Sequence, residues 1–119
     1  MKIEKISMEI IRLSSAIAEL SIRVHVPQVA IGYTLTGLLR GPLCDSIETI
    51  QLSYRLKYQE NRKENSSVLY GTFIICEPNL WTKATPYIYQ GSVELVHQNI
   101  LIDSQPIQTA FRARNLEEA

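Results

Sequence analysis

The sequence shows no excess of either charge and no long hydrophobic run. Twelve lysines and arginines balance 12 aspartates and glutamates, so the chain lacks the surplus of positive charge that nucleic-acid binding requires. Its most apolar stretch, residues 26–39, is interrupted by one proline, two glycines and two threonines, whereas a membrane span needs about 18 or more consecutive apolar residues. The first residues alternate charged and apolar side chains, unlike a secretion signal. We therefore expect a soluble cytoplasmic protein that binds neither nucleic acid nor a membrane.

Cysteines and histidines are also scarce, and their positions define no chemical site. Cys44 and Cys76 are the two cysteines, and because a reducing cytosol opposes disulfides, we expect two free and mostly buried thiols. The two histidines, His25 and His97, stand at no metal-ligand spacing from each other or from the cysteines. Nothing in the sequence indicates that either thiol lies near an imidazole that could activate the thiol as a nucleophile. We expect no metal and no cofactor.

The strongest pattern that is present is the alternation of apolar and polar residues. In residues 20–26 every second residue is leucine, isoleucine or valine, and the residues between them are serine, arginine and histidine. This alternation is typical of a strand with one buried face. The same pattern runs through residues 50–58, and four further runs are rich in strand-forming residues: 30–38, 68–76, 87–97 and 100–112. With a strand before Leu13, the predicted count is seven.

The first 20 residues fit either two strands or one helix. Their apolar residues recur at spacings of three and four, as on one face of a helix: Ile3, Ile6, Ile10, Leu13, Ile17 and Leu20. However, apolar and polar residues alternate around Met8, and Ser14 and Ser15 are suited to a turn. We favour two strands. If the helix is correct instead, the segment becomes an oligomerisation element.

Seven short strands separated by turn signals predict an all-β fold. The favoured architecture is a seven-stranded antiparallel immunoglobulin-like β-sandwich, and a small closed barrel is the alternative. Breaks fall between the runs, including a turn predicted at residues 40–42 and a solvated polar connection at 59–67. At 119 residues the chain has the size of one domain, so we assign residues 1–119 to a single sandwich with a frayed terminus at 115–119.

One segment resembles a known family. The matching residues form a corner and the strand after it: Pro78, Leu80, Trp81, Thr82, Pro86, Tyr87 and Tyr89, followed by Val93 and Leu95. This pattern resembles the immunoglobulin-like sandwich domain of the family-2 glycoside hydrolases, the β-galactosidase and β-glucuronidase class. The closing motif of that domain is matched only at Phe111 and Arg114, since Arg112 and Ala113 depart from it. The resemblance implies the sandwich fold and no particular activity.

The expected function follows from the chemistry that the sequence lacks. In the resembled enzymes the catalytic carboxylates lie in a barrel that follows the sandwich, and this sequence ends without one. Glycoside hydrolysis requires two carboxylates at a fixed separation, whereas the acidic residues here are mostly scattered singly. We therefore expect a chain that is not an enzyme and serves as a non-catalytic module for protein–protein interaction or self-association. An enzyme with an unrecognised site is a further alternative.

Three aromatic residues are the candidate ligand or interface residues: Trp81, Tyr87 and Tyr89. Trp81, the one tryptophan, can cap the open end of a sandwich with its large ring. Alternatively, it can form a sugar-stacking platform with Tyr87 or Tyr89, which would make the chain a carbohydrate-binding module. That alternative requires the three rings to be coplanar and exposed to solvent.

Overall fold

The alternation of apolar and polar residues produces strands that form two antiparallel sheets packed face to face. The computed structural model describes residues 1–60 and 66–112. The first sheet contains, in spatial order, β1 (Lys5–Leu13), β2 (Ile17–His25), β6 (Val68–Cys76) and β5 (Lys57–Gln59). The second contains β4 (Leu52–Arg55), β3 (Tyr33–Leu43), β7 (Ile88–His97) and β8 (Ile100–Thr109). The predicted antiparallel β-sandwich is confirmed, with eight described strands where seven were expected. A helix that could span a membrane is absent from residues 1–60 and 66–112.

The first 20 residues form strands, so the helix interpretation is wrong. Strand β1 pairs with β2 in a hairpin whose turn lies at the two serines. The Ser14 N–H donates to the Ile17 carbonyl at 2.8 Å, and the Ser14 hydroxyl oxygen accepts hydrogen bonds from the N–H groups of Ala16 and Ile17. A bulge lies between Ile10 and Arg12, where one extra residue bends the strand. The spacing of three and four therefore reflects two strands whose phase changes at the bulge and the turn.

The core lies between the inner faces of the two sheets. The first sheet contributes the inward residues of β2 and β6, and the second contributes those of β3 and β7. These side chains are almost fully buried: Ala18, Leu20, Ile22, Val24, Leu69, Phe73, Ile75, Leu35, Leu39, Tyr89, Val93 and Leu95. Among the described residues, no polar or charged residue is buried with them apart from the tyrosine hydroxyl. The hydrophobic effect at this interface is the main force that holds the sheets together.

Residues 50–58 were expected to be a single strand, and this expectation is wrong. The chain crosses from one sheet to the other within this segment, because β4 pairs with β3 while β5 pairs with β6. Leu56 lies at the crossing, and its N–H donates to the Gly37 carbonyl at 3.0 Å. A side chain on Gly71 would begin 2.7 Å from a Leu56 methyl carbon, so this glycine leaves room for the crossing. The crossing closes one edge of the sandwich and accounts for the additional strand.

Two apolar residues near this crossing are exposed, contrary to the predicted burial. Ile50 is 89% exposed and Leu52 is 56% exposed, although the alternation assigned both to the core face. They lie at the outer edge of the second sheet, where nothing in the described part of the chain covers them. Alternation shows which residues share a face but not whether that face is covered.

Three smaller expectations are also corrected. The predicted turn at residues 40–42 lies inside β3, which continues to Leu43 with a register shift after Arg40. The last strand ends at Thr109, before the predicted limit of 112. The cysteines are free, as expected, but Cys44 is half-buried and Cys76 is exposed at the end of β6. Parts of two predicted segments, residues 61–65 of the polar connection and 113–119 with Arg114 and the terminus, lie outside the described residues.

Substitution of Gly91 tests the close packing of β7 against β3. A Cβ atom at this position would lie 1.7 Å from the carbonyl oxygen of Leu38, and backbone cannot move away as a flexible side chain could. We expect Gly91→Ala to lower the free energy of unfolding by about 3 kcal/mol, measured by urea denaturation. The control is Ser104→Ala on the exposed face of β8, which we expect to change stability by less than about 0.5 kcal/mol. Equal denaturation midpoints would contradict the described packing.

Candidate functional site

The corner between β6 and β7 holds the predicted aromatic residues, and it is bound to the end of the described chain. Trp81 forms isolated bridges with Pro86 and Arg112, and its backbone N–H donates to the Phe111 carbonyl at 2.8 Å. The guanidinium of Arg112 lies 4.1 Å from the centre of the indole ring, within the range of a cation–π contact. One face of the half-buried Trp81 ring is therefore covered by an arginine.

Tyr89 belongs to the core instead of the surface. Its side chain is 1% exposed, and its ring centre lies 5.2 Å from that of Phe111 and 6.3 Å from that of Tyr54. The hydroxyl oxygen accepts a hydrogen bond from the Asn79 N–H at 2.9 Å, which links the core to the corner. Sequence reasoning did not identify Asn79 or Tyr54 as neighbours of this ring, because no short-range pattern connects them.

The structure does not place the three candidate rings on one exposed face. Trp81 and Tyr87 are half-buried, whereas Tyr89 is buried between the sheets. A three-ring platform for carbohydrate stacking therefore does not form. The reason is the alternation along the start of β7: Tyr89 shares the inward face with Val93 and Leu95, so its ring points into the core.

The burial of Tyr89 predicts a loss of stability in alkali. Burial raises the pKa of this phenol above its ordinary value, the Asn79 hydrogen bond opposes the rise, and nearby Tyr54 adds to it. The folded state thus holds the phenolic proton more tightly than the unfolded state does. The stabilisation is complete below about pH 10 and is lost as the pH rises through the higher pKa of the folded state.

We expect the free energy of unfolding to fall as the pH rises past about 10, and to fall less steeply in Tyr89→Phe. At neutral pH the same variant should lose about 1 kcal/mol because the hydrogen bond from Asn79 is removed. Denaturant titrations at a series of pH values measure both effects. Parallel pH profiles for the variant and the wild type would contradict this account.

A depression lies on the outer face of the second sheet. Its volume is about 580 Å³. Arg40, Gln90 and Gln108 form one row of directly paired residues across β3, β7 and β8, and Ser92 and Pro106 form part of the next row. Among its described lining residues there is no carboxylate and no aromatic ring. The surface offers hydrogen-bonding groups but neither the acid pair nor the stacking ring that carbohydrate chemistry uses.

Acidic, cysteine and histidine side chains are not grouped for metal binding in the part of the chain that the structure describes. Within residues 1–60 and 66–112, no three such side chains are placed to hold an ion. His97 instead stacks on Tyr33, with ring centres 4.3 Å apart. This contact joins the start of β3 to the end of β7. It was not predicted, since the two residues meet only through the register of the strands.

The side of the sandwich opposite the β4–β5 crossing is open, and apolar residues line it. We define the open edge as Ile6, Met8, Ile10 and Ile11 of β1. The first three oppose Val24, Ile22 and Leu20 of β2, which are fully buried, so they share the inward face of the first sheet. Yet Met8 is 41% exposed, and Ile11, at the bulge, is 47% exposed.

The strand that faces this edge from the second sheet does not cover it. The Ile3 N–H donates to the Asp103 carboxylate at 2.8 Å, which links the start of the chain to β8. On β8, Asp103 and Gln105 share the inward face with Leu95 and Val93 of β7. Polar residues on one sheet therefore lie across from apolar residues on the other, and the row on β1 remains partly accessible. The sequence showed the apolar alternation of β1 but not that β1 is an edge.

Comparison with known proteins gives one family and a set of similar structures. The sequence matches the family model of the glycosyl hydrolases family 2 over residues 2–112. No curated protein sequence matches the chain.

Among solved structures, the chain is similar to a β-glucuronidase of Bifidobacterium dentium, with a TM-score of 0.60, 16% identity, and coverage of 92% of this chain and 17% of that one. It is similar to a glycosyl hydrolase family 2 member from Bacteroides cellulosilyticus, with a TM-score of 0.60, 16% identity, and coverage of 92% and 15%. It is also similar to a putative β-galactosidase from Bacteroides fragilis, with a TM-score of 0.55, 15% identity, and coverage of 92% of this chain and 17% of that one. Identities this low show the shared fold alone, and the chain spans 15–17% of the length of these three proteins.

Proposed function

The chain belongs to the glycosyl hydrolases family 2, and from this premise we propose that it is a non-catalytic β-sandwich module that works through protein contact, by association with a second copy of itself. The observation that carries the proposal is the open edge. Apolar side chains on the inward face of an edge strand are stabilised when another surface removes them from water. Unpaired backbone groups along the same strand favour a partner that supplies a strand.

The lining of the depression on the second sheet supports the non-catalytic part of the proposal. Retaining and inverting glycosidases place two carboxyl groups on either side of the scissile bond, about 5 to 9.5 Å apart. The depression on the outer face of the second sheet has no carboxylate among its described lining residues. Carbohydrate binding, the alternative function, lacks a supporting observation, because Tyr89 is buried and Arg112 covers a face of Trp81.

Sedimentation velocity tests the association. A contact along one edge is small, so we expect a dimer in exchange with monomer, with the dimer predominant above about 100 µM. The dimer should have twice the 13.6 kDa mass of the chain. A constant monomer mass at every concentration would contradict self-association.

Activity is tested separately with nitrophenyl glucuronide and galactoside. We expect no release of nitrophenol above the rate of the buffer alone, at protein concentrations on both sides of the dimer transition. Turnover that rises with protein concentration would contradict the non-catalytic assignment while leaving the association result unaffected.

A further inference from the structure

We propose that β1 is the strand that associates, and that it pairs antiparallel with β1 of a second copy about a two-fold axis through Ser7. This inference rests on the proposed function and specifies the surface and the register. The first sheets of the two copies would join edge to edge into one continuous sheet of eight described strands. The open edges of the two copies would then meet across the axis.

The other described edges are less suited to pairing. Strands β4 and β5 have four and three residues, and the crossing between them occupies that side of the sandwich. Strand β8 has ten residues, but Pro106 in its second half has no N–H to donate. If β8 paired with β8 of a second copy, its inward residues Asp103 and Gln105 would lie opposite the same residues or other polar groups of the partner subunit. Strand β1 has nine residues with neither proline nor glycine.

The sequence of β1 is complementary to itself about Ser7. In this register Lys5 lies opposite Glu9 of the partner subunit, and Ile6 lies opposite Met8 of the partner subunit. By symmetry each of these pairs occurs twice. Opposite charges directly across two strands attract, and apolar pairs pack. Lys5, Ser7 and Glu9 occupy the outer face, because Ser7 and Glu9 oppose Arg23 and Ser21 of β2. Ile6 and Met8 occupy the inner face, so the register matches both faces together.

Neighbouring symmetric registers match less well. An axis through Met8 would place Lys5 opposite Ile11 of the partner subunit and extend the pairing onto the bulge between Ile10 and Arg12. An axis through Ile6 would pair only residues 5–7 of β1 and would place Lys5 opposite Ser7 of the partner subunit, without the Lys5–Glu9 and Ile6–Met8 pairs. The axis through Ser7 confines pairing to the regular half of the strand. There Lys5 is exposed, and the Glu9 side chain is 61% exposed with a single long contact to Arg23, at 3.4 Å.

Charge reversal at two positions tests the register. Lys5→Glu would place glutamates opposite each other at both pairs, and Glu9→Lys would place lysines opposite each other. We expect each variant alone to weaken the dimer at least about tenfold, since both symmetric pairs change from attractive to repulsive. An equimolar mixture of the two variants pairs every glutamate with a lysine. Its dissociation constant should therefore return to within about threefold of the wild-type value.

The possible results separate the register from the association itself. Unchanged urea midpoints for both variants show that folding is preserved, and Ser104→Ala serves as the surface control. If the variants dimerise as well as the wild type, the dimer uses another surface: this inference is overturned and the proposed function stands. If both variants are monomeric but their mixture does not dimerise, the register is wrong. A monomeric wild type overturns both.

Cross-linking gives an independent measurement of the axis. Residues directly opposite in an antiparallel pair have Cα atoms about 4.5 to 5.5 Å apart, within the range of a disulfide. In a chain carrying Cys44→Ser and Cys76→Ser, we expect Ser7→Cys to form a covalent dimer on mild oxidation. Ser104→Cys in the same background is the matched control and should remain monomeric. Equal cross-linking of the two variants, or none with Ser7→Cys, would overturn the axis.

Discussion

The burial of two apolar sheet faces against each other is the interaction on which the rest of this structure depends. In the described residues, the interface contains no buried charged group, and its polar contribution is the Tyr89 hydroxyl. Each fully buried leucine, isoleucine or phenylalanine contributes about 1.5–3 kcal/mol relative to an exposed one. Central strands β2 and β6 supply most of the first sheet's share, so the edge strands are free to differ in sequence and in exposure.

The two sides of the sandwich are unequal, and the proposed association rests on this asymmetry. On one side the chain passes from the second sheet to the first at Leu56, and two glycines, Gly37 and Gly71, leave space for that residue. On the other side β1 and β8 lie across from each other with one hydrogen bond from Ile3 to Asp103. A side closed by its own chain cannot accept a further strand. The open side can, because β1 retains unpaired backbone groups and accessible apolar side chains.

At the corner, a local sequence motif determines the fold, and tertiary contacts determine what each side chain does. Its prolines and its tryptophan were recognisable along the sequence, and they indicated the fold correctly. Their roles depend on residues far along the chain, since Arg112 covers Trp81 and Phe111 packs on Tyr89. A motif of aromatic residues is thus compatible with a ligand platform or with a core. The strand phase at Tyr89 decides between them, and here it directs the ring inward.

The sequence by itself determined that the chain is all-β, that β2, β6 and β7 are strands, and which of their residues face the core. It could do so because alternation is a local property of an extended chain with one buried face. Only the tertiary structure decided that residues 50–58 divide between two sheets, that Arg112 covers Trp81, and that β1 is an uncovered edge. These features depend on which strands become neighbours. Such contacts join residues distant in sequence, and no short-range pattern encodes them.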